Sequence, residues 1–80
     1  MNIKYILLRD EDNVIVVSPI RGDRKRCKYF NILHYSSLRS VRGLSGKTIY
    51  IQVGLKSEYM DCFSYIEYFN SVVFFEGKLE

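Results

Sequence analysis

The stretch from Lys47 to Gly54, KTIYIQVG, constrains the fold most. In an extended chain Ile49, Ile51 and Val53 fall on one side, and Thr48, Tyr50 and Gln52 on the other. Such alternation specifies a β-strand with one half-polar face. Other stretches supply its neighbours. Ile3 to Leu8 and Val14 to Val17 are two further apolar runs, separated by the turn-forming DEDN of Asp10 to Asn13, and read as a hairpin. Pro19 has no N–H to give to a ladder, so it marks a strand end or an exposed edge. Gly22-Asp23 reads as another turn, and Val72 to Phe75 as a terminal strand.

Two segments carry helix signals. From Tyr29 onward the residues Tyr29, Ile32, Tyr35, Leu38 and Val41 recur every three positions, while the Tyr, Phe and Ile content of the same region suits a strand. The reading taken is extended structure from Cys27 to Leu33, then a short helix from Ser36 to Arg42. Ser36 or Ser37 caps that helix, and Gly43 ends it in the left-handed conformation. Glu58 to Asn70 reads as the main helix. Ser57 is its N-cap, Glu58 and Asp61 lie in its first turn where the dipole favours acids, and Tyr59, Cys62, Phe63, Ile66 and Phe69 form its apolar face.

The element order β-β-(β)-α-β-α-β predicts a single α+β domain spanning 1–80. Its sheet is small, mixed or antiparallel, with four to five strands and one or two helices packed on one face. Tyr50 is expected on the barer face, where exposed edges and tyrosine favour a two-fold homodimer. Hydrophobic residues make up 48% of the chain, including seven Tyr and five Phe, so the core needs neither a metal nor a disulfide staple. Cys27 and Cys62 are too few for a secreted disulfide framework. No signal-peptide pattern and no stretch of membrane-spanning length occurs. The expected setting is the cytoplasm, or the host cytoplasm for a chain of viral origin, with both thiols reduced and no membrane contact.

Few patterns carry chemistry. Arg21-Gly22-Asp23 matches an integrin-binding triplet, but without an extracellular route it reads as a charged glycine turn. GLSGKT, from Gly43 to Thr48, lacks the first glycine of a phosphate loop, which would fall at Val41, and it leads into a strand rather than a helix. His34, Cys27, Cys62 and Asp61 lack the paired spacing of a zinc site. Asp10, Glu11 and Asp12 lack the alternation of a calcium loop. Cys27 is the better nucleophile candidate, because Arg26 and Lys28 beside it favour the thiolate, whereas Cys62 lies on an apolar stripe. No acid–base–nucleophile set emerges, so the chain reads as a non-enzyme with no catalytic residues, metal or cofactor.

Charge distribution is the remaining signal. Arg21 to Lys47 holds eight of the twelve Lys and Arg residues against one acid, Asp23. The partner-binding residues expected from it are Arg21, Arg24, Lys25, Arg26, Tyr29, Arg39 and Arg42. The favoured reading is a small interaction protein that occupies a surface of a larger protein partner, where Arg and Tyr are over-represented. Size and the absence of catalytic groups suit a phage or mobile-element inhibitor of a host defence protein, by analogy with small accessory proteins. The alternative is nucleic-acid binding through the basic segment 21–47. There cations neutralise phosphates, and Tyr29, Phe30 and Tyr35 stack on bases.

Overall fold

The computed structural model describes residues 13–79. Four strands, β1 (Val14–Val17), β2 (Leu33–Tyr35), β3 (Thr48–Gln52) and β4 (Ser71–Phe75), form one sheet in the order β2-β1-β3-β4. Every pairing among the described residues is parallel. Val16 lies opposite His34 on one side and Tyr50 on the other, and Tyr50 lies opposite Val73. The mixed or antiparallel sheet expected from sequence is therefore corrected to a parallel one within a small domain of strands and helices.

The reason lies in β1. All four residues of VIVV are buried, and both edges of the strand are paired. A continuous apolar run of this kind marks a strand covered on both faces, as parallel strands are. The alternation in β3 misleads for the same reason. Tyr50 is only 5% exposed, as buried in practice as Ile49 and Ile51, so it does not mark an open face. The hairpin partner expected at Ile3 to Leu8 lies outside the described residues.

Parallel neighbours need crossovers of about a dozen residues or more. The crossover from β1 to β2 carries helix α1 (Arg21–Tyr29). The one from β2 to β3 carries a single 3-10 turn (Leu38–Val41), and the one from β3 to β4 a helical stretch over 53–68. The first two crossovers run in opposite directions across the sheet, so right-handed connections put them on opposite faces. The packing agrees. Val14 and Val16 meet Cys27 of α1, Ile32 and Leu79 on one face. Ile15 and Val17 meet Leu38, Val41, Phe63 and Ile66 on the other. Helices thus cover both faces, which corrects the one-sided arrangement expected.

Local readings shift accordingly. SPIRGDRKRCKYF, read as a turn and an extended segment, is mostly α1, with Pro19 just ahead of it; only Leu33–Tyr35 is extended. The stripe that α1 buries is Asp23 and Cys27, continued by the half-buried Phe30 at its C-cap, and its first member is an acid. The helix expected at Ser36 to Arg42 shrinks to the 3-10 turn, where the Ser37 hydroxyl accepts the Arg39 N–H and Gly43 takes φ 82° as foreseen.

The main helix is irregular. A 3-10 turn (Val53–Leu55) leads into one α turn, α2 (Lys56–Glu58), which includes the expected cap Ser57. A π turn (Tyr59–Phe63) and a 3-10 turn (Ser64–Tyr68) follow. Its entry into β4 is fixed by Asn70. The Asn70 Oδ1 accepts the Lys47 N–H at 3.0 Å, and Nδ2 donates to the Leu44 carbonyl at 2.9 Å. GLSGKT therefore sits at the amino end of β3, away from the carboxyl-end position of a phosphate loop.

Candidate functional site

Helix α1 presents a cationic surface. With Asp23 and Cys27 turned inward, Arg21, Arg24, Lys25 and Lys28 occupy the outward arc, and Arg26 and Tyr29, three apart, share a flank. All six are exposed, Tyr29 at 83%. Asp23, the one acid on the helix, does not offset them at the surface. Its Oδ2 accepts the Ser18 hydroxyl at 2.6 Å, and its Oδ1 accepts the Leu79 N–H at 2.6 Å. The Ser18 Oγ in turn accepts the Ile20 N–H at 3.1 Å. The Arg21-Gly22-Asp23 triplet is thus a helix start with a buried structural acid.

Arg39 and Arg42 do not join that surface. Arg39 lies within the 3-10 turn and Arg42 directly after it, on the opposite face of the sheet, so the patch expected from sequence divides in two. Five of its seven members, Arg21, Arg24, Lys25, Arg26 and Tyr29, lie on α1. The other two line a depression of about 370 Å³ with Glu58, Cys62, Phe63 and Tyr65.

That second surface is built largely by residues the sequence reading did not select. Tyr65 also lines an adjoining apolar hollow of about 170 Å³, with Leu44, Ile66 and Phe69. The Tyr65 ring therefore stands between a hollow of apolar character and one rimmed by arginines. Tyr68 is 80% exposed, Phe69 61% and Met60 51%, along the same helical stretch. Phe69 and Cys62 were expected on the buried stripe. The π turn adds a residue to the turn and the 3-10 turn tightens the next one, so only Tyr59, Phe63 and Ile66 remain inward. A usable signal existed in YMDCFSYIEYF, Tyr59 to Phe69. Five aromatics in one such stretch exceed what a single helix stripe buries.

A third feature lies between α1 and β2. Arg24, Lys28, Asn31, Ile32, Leu33 and His34 line a notch of about 270 Å³. Burial pushes the His34 imidazole below its usual value, with a nearby Arg24 adding to the effect and the Ser18 backbone and Asp23 carboxylate opposing it. Its Nε2 is buried without a hydrogen-bond partner among the described residues.

The reactive-thiol reading of Cys27 is overturned. The side chain is fully buried, and burial, with the Asp23 carboxylate adding to it, pushes the thiol up to about 12. Arg26 and Lys28 point outward and do not offset this. Among the described residues no three His, Cys, Asp or Glu side chains gather as metal ligands, and Asp10, Glu11 and Asp12 lie outside those residues. No helix among the described residues is long and apolar enough to cross a membrane.

No protein-family model matches the chain, and no match is found among curated proteins or solved structures. The functional reading therefore rests on these three surfaces alone. In open parallel sheets ligands usually bind beyond the carboxyl ends of the strands, where the strand order reverses. Here that reversal lies at β1, and the Ser18–Asp23–Leu79 hydrogen bonds tie a later part of the chain across the carboxyl end of β1.

Proposed function

We propose that this protein acts without catalysis, by occupying a surface of a larger protein partner with the face formed by Met60, Tyr65, Tyr68 and Phe69. The observation that carries this reading is the exposure of those side chains along one helical stretch, with Tyr65 lining the same depression as Arg39 and Arg42. Aromatic residues, Met and Arg are the types enriched in protein interfaces, and Lys is depleted there. The sequence reading put the partner surface on the basic segment as a whole. The geometry favours moving it to the half that carries Arg39 and Arg42, because several exposed aromatics lie along the helical stretch there, whereas α1 carries one, Tyr29, and two lysines beside its three arginines. Its small size suits an inhibitor that blocks a partner by covering it. A phage or mobile-element origin, with a host defence protein as target in the host cytoplasm, follows only by analogy with small accessory proteins.

The test compares capture from nuclease-treated lysate by the wild type, by Tyr68→Ala with Phe69→Ala, and by Lys25→Gln with Lys28→Gln. One partner retained by the wild type and the lysine variant, and lost by the aromatic variant, is the expected result. The reading fails if nothing is captured, or if the lysine variant is the one that loses it.

A second reading has its own support. With Asp23 turned inward, α1 offers five cations and an exposed Tyr29, a combination suited to phosphates and an unpaired base. Nucleic-acid binding by α1 predicts a complex in a low-salt gel shift with mixed DNA and RNA, and a salt slope that flattens by about one per lysine or arginine removed. Absence of any complex at low salt removes it. The homodimer expected through Tyr50 loses that footing, since Tyr50 is buried.

A further inference from the structure

We infer that the notch between α1 and β2 is a seat for one terminal phosphate group, held by Arg24, Lys28, Asn31 and His34. The inference does not depend on the aromatic face, which is built on the other side of the sheet.

The lining has a single chemical character. Arg24 and Lys28, four apart, project from one side of α1 into the same notch. Asn31 follows in the left-handed conformation, φ 60°, and adds a carboxamide. His34 rises from β2 opposite Val16, on the face that α1 covers. No acid lines the notch among the described residues. Among the described residues the carboxylate nearby, Asp23, is taken up by the Ser18 hydroxyl and the Leu79 N–H.

The end of α1 does not work against an anion as a bare helix terminus would. Its last carbonyls are engaged: Arg26 by the Phe30 N–H, Cys27 by the Ile32 N–H and Lys28 by the Asn31 N–H. Those carbonyls and the N–H groups that engage them are spent on one another, so what the turn offers the notch is the side chains of Arg24, Lys28 and Asn31.

His34 supplies the second line of argument. A buried imidazole nitrogen without a partner is a cost that native structures rarely carry. The nitrogen is enclosed, so an oxyanion in the notch becomes its acceptor once the ring turns outward, in a tautomer that carries its proton there. Arg24 gives a fork of N–H donors that matches a tetrahedral oxyanion, and Lys28 adds a compact charge. Two fixed cations suit a dianion, so a phosphate monoester or free phosphate is favoured over a singly charged diester. A volume of about 270 Å³ exceeds the ion alone and leaves space for part of a carrier.

The experiment follows the His34 imidazole and the Asn31 amide by NMR at neutral pH, in separate titrations with inorganic phosphate, O-phosphoserine, dimethyl phosphate and chloride at matched ionic strength. Saturable shifts with phosphate, phosphoserine or both, and a response at least tenfold weaker to dimethyl phosphate, are expected. Arg24→Gln and Lys28→Gln each lower the affinity at least tenfold. Lys25→Gln, on the same helix but outside the notch, changes it less than threefold. All three residues are exposed, so the variants keep the fold. Non-saturating shifts equal to those with chloride overturn the inference, as does dimethyl phosphate binding as tightly as phosphate. An equal loss in Lys25→Gln also overturns it, because it reports the general charge of α1 instead of a seat.

Discussion

The Asp23 carboxylate accepts the Leu79 backbone N–H at 2.6 Å, joining the first turn of α1 to a residue 56 positions later. Its other oxygen accepts the Ser18 hydroxyl, also at 2.6 Å. Asp23, Ser18 and Leu79 are all buried, so neither donor has water as a substitute. Asp23→Ala leaves both unpaired, at about 1–3 kcal/mol for each buried group. The variant should unfold at a clearly lower urea midpoint with an unchanged slope. A midpoint within error of the wild type would show that the two hydrogen bonds add nothing net.

Cys27 and Cys62 should differ sharply in reactivity. Cys62 is exposed and Cys27 is enclosed under α1. A thiol reagent at pH 8 should modify one cysteine rapidly in the native protein and two in urea, and Cys62→Ser should abolish the fast phase. Fast loss of both thiols in the native state contradicts the packing.

The same burial predicts an alkaline effect. The Cys27 thiol rises from 9.0 to about 12 on folding, so only the unfolded chain releases this proton between those values. Unfolding is then favoured as pH rises above 9, by up to about 1.4 kcal/mol per pH unit. Tyr59, also raised chiefly by burial, acts in the same sense. Comparing urea midpoints of the wild type and Cys27→Ala isolates the cysteine: the variant's stability should fall less steeply above pH 9. Parallel curves would rule out the shift.

What the sequence made legible follows from which residues report on one neighbour and which report on two. β3 and β4 were readable because β-branched and aromatic runs suit a pleated surface whatever lies on it. The direction of pairing was not, because Val14 to Val17 look alike as the arm of a hairpin or as the centre of a parallel sheet. Helix α1 was hidden by its own chemistry. Gly22 and Asp23 are turn formers by composition, and the inward stripe begins with that aspartate, so an apolar count sees no face. Phe69 and Cys62 were misplaced because a regular period of 3.6 does not anticipate a π turn followed by a 3-10 turn. The basic residues themselves were legible; their division between two faces depended on crossover handedness, and so on a parallel sheet.

His34 gives a prediction at acidic pH. Burial lowers its imidazole below 6.5, against the Ser18 backbone and Asp23, which raise it, and with Arg24, which lowers it further. Proton uptake is therefore weaker in the folded state. Its contribution to stability is complete above 6.5 and is lost as pH falls through the lowered value. NMR titration of the imidazole should place its midpoint below 6.5, and His34→Gln should flatten the decline in stability between about pH 6.5 and 5. A midpoint at or above 6.5 overturns this. Bound phosphate reverses the direction, since an anion in the notch favours the imidazolium.

The aromatic face separates binding from folding most cleanly. Tyr68 and Phe69 are largely exposed, so truncating them removes little buried area and should change stability by less than about 0.5 kcal/mol. If they anchor a partner, each truncation should cost about 2 kcal/mol or more of binding, roughly thirtyfold in Kd. Phe63 and Ile66, one turn away on the same helical stretch, provide the contrast. Both are buried against β1 and β3, and truncating either to alanine should destabilise the fold by about 2–5 kcal/mol. Thermal melts and titration calorimetry against the captured partner measure the two effects separately. Tyr68→Ala and Phe69→Ala should move the Kd and leave the melt in place. Variants that shift the melt as far as Ile66→Ala, or leave the Kd unchanged, would mean that these rings serve the fold and not a partner.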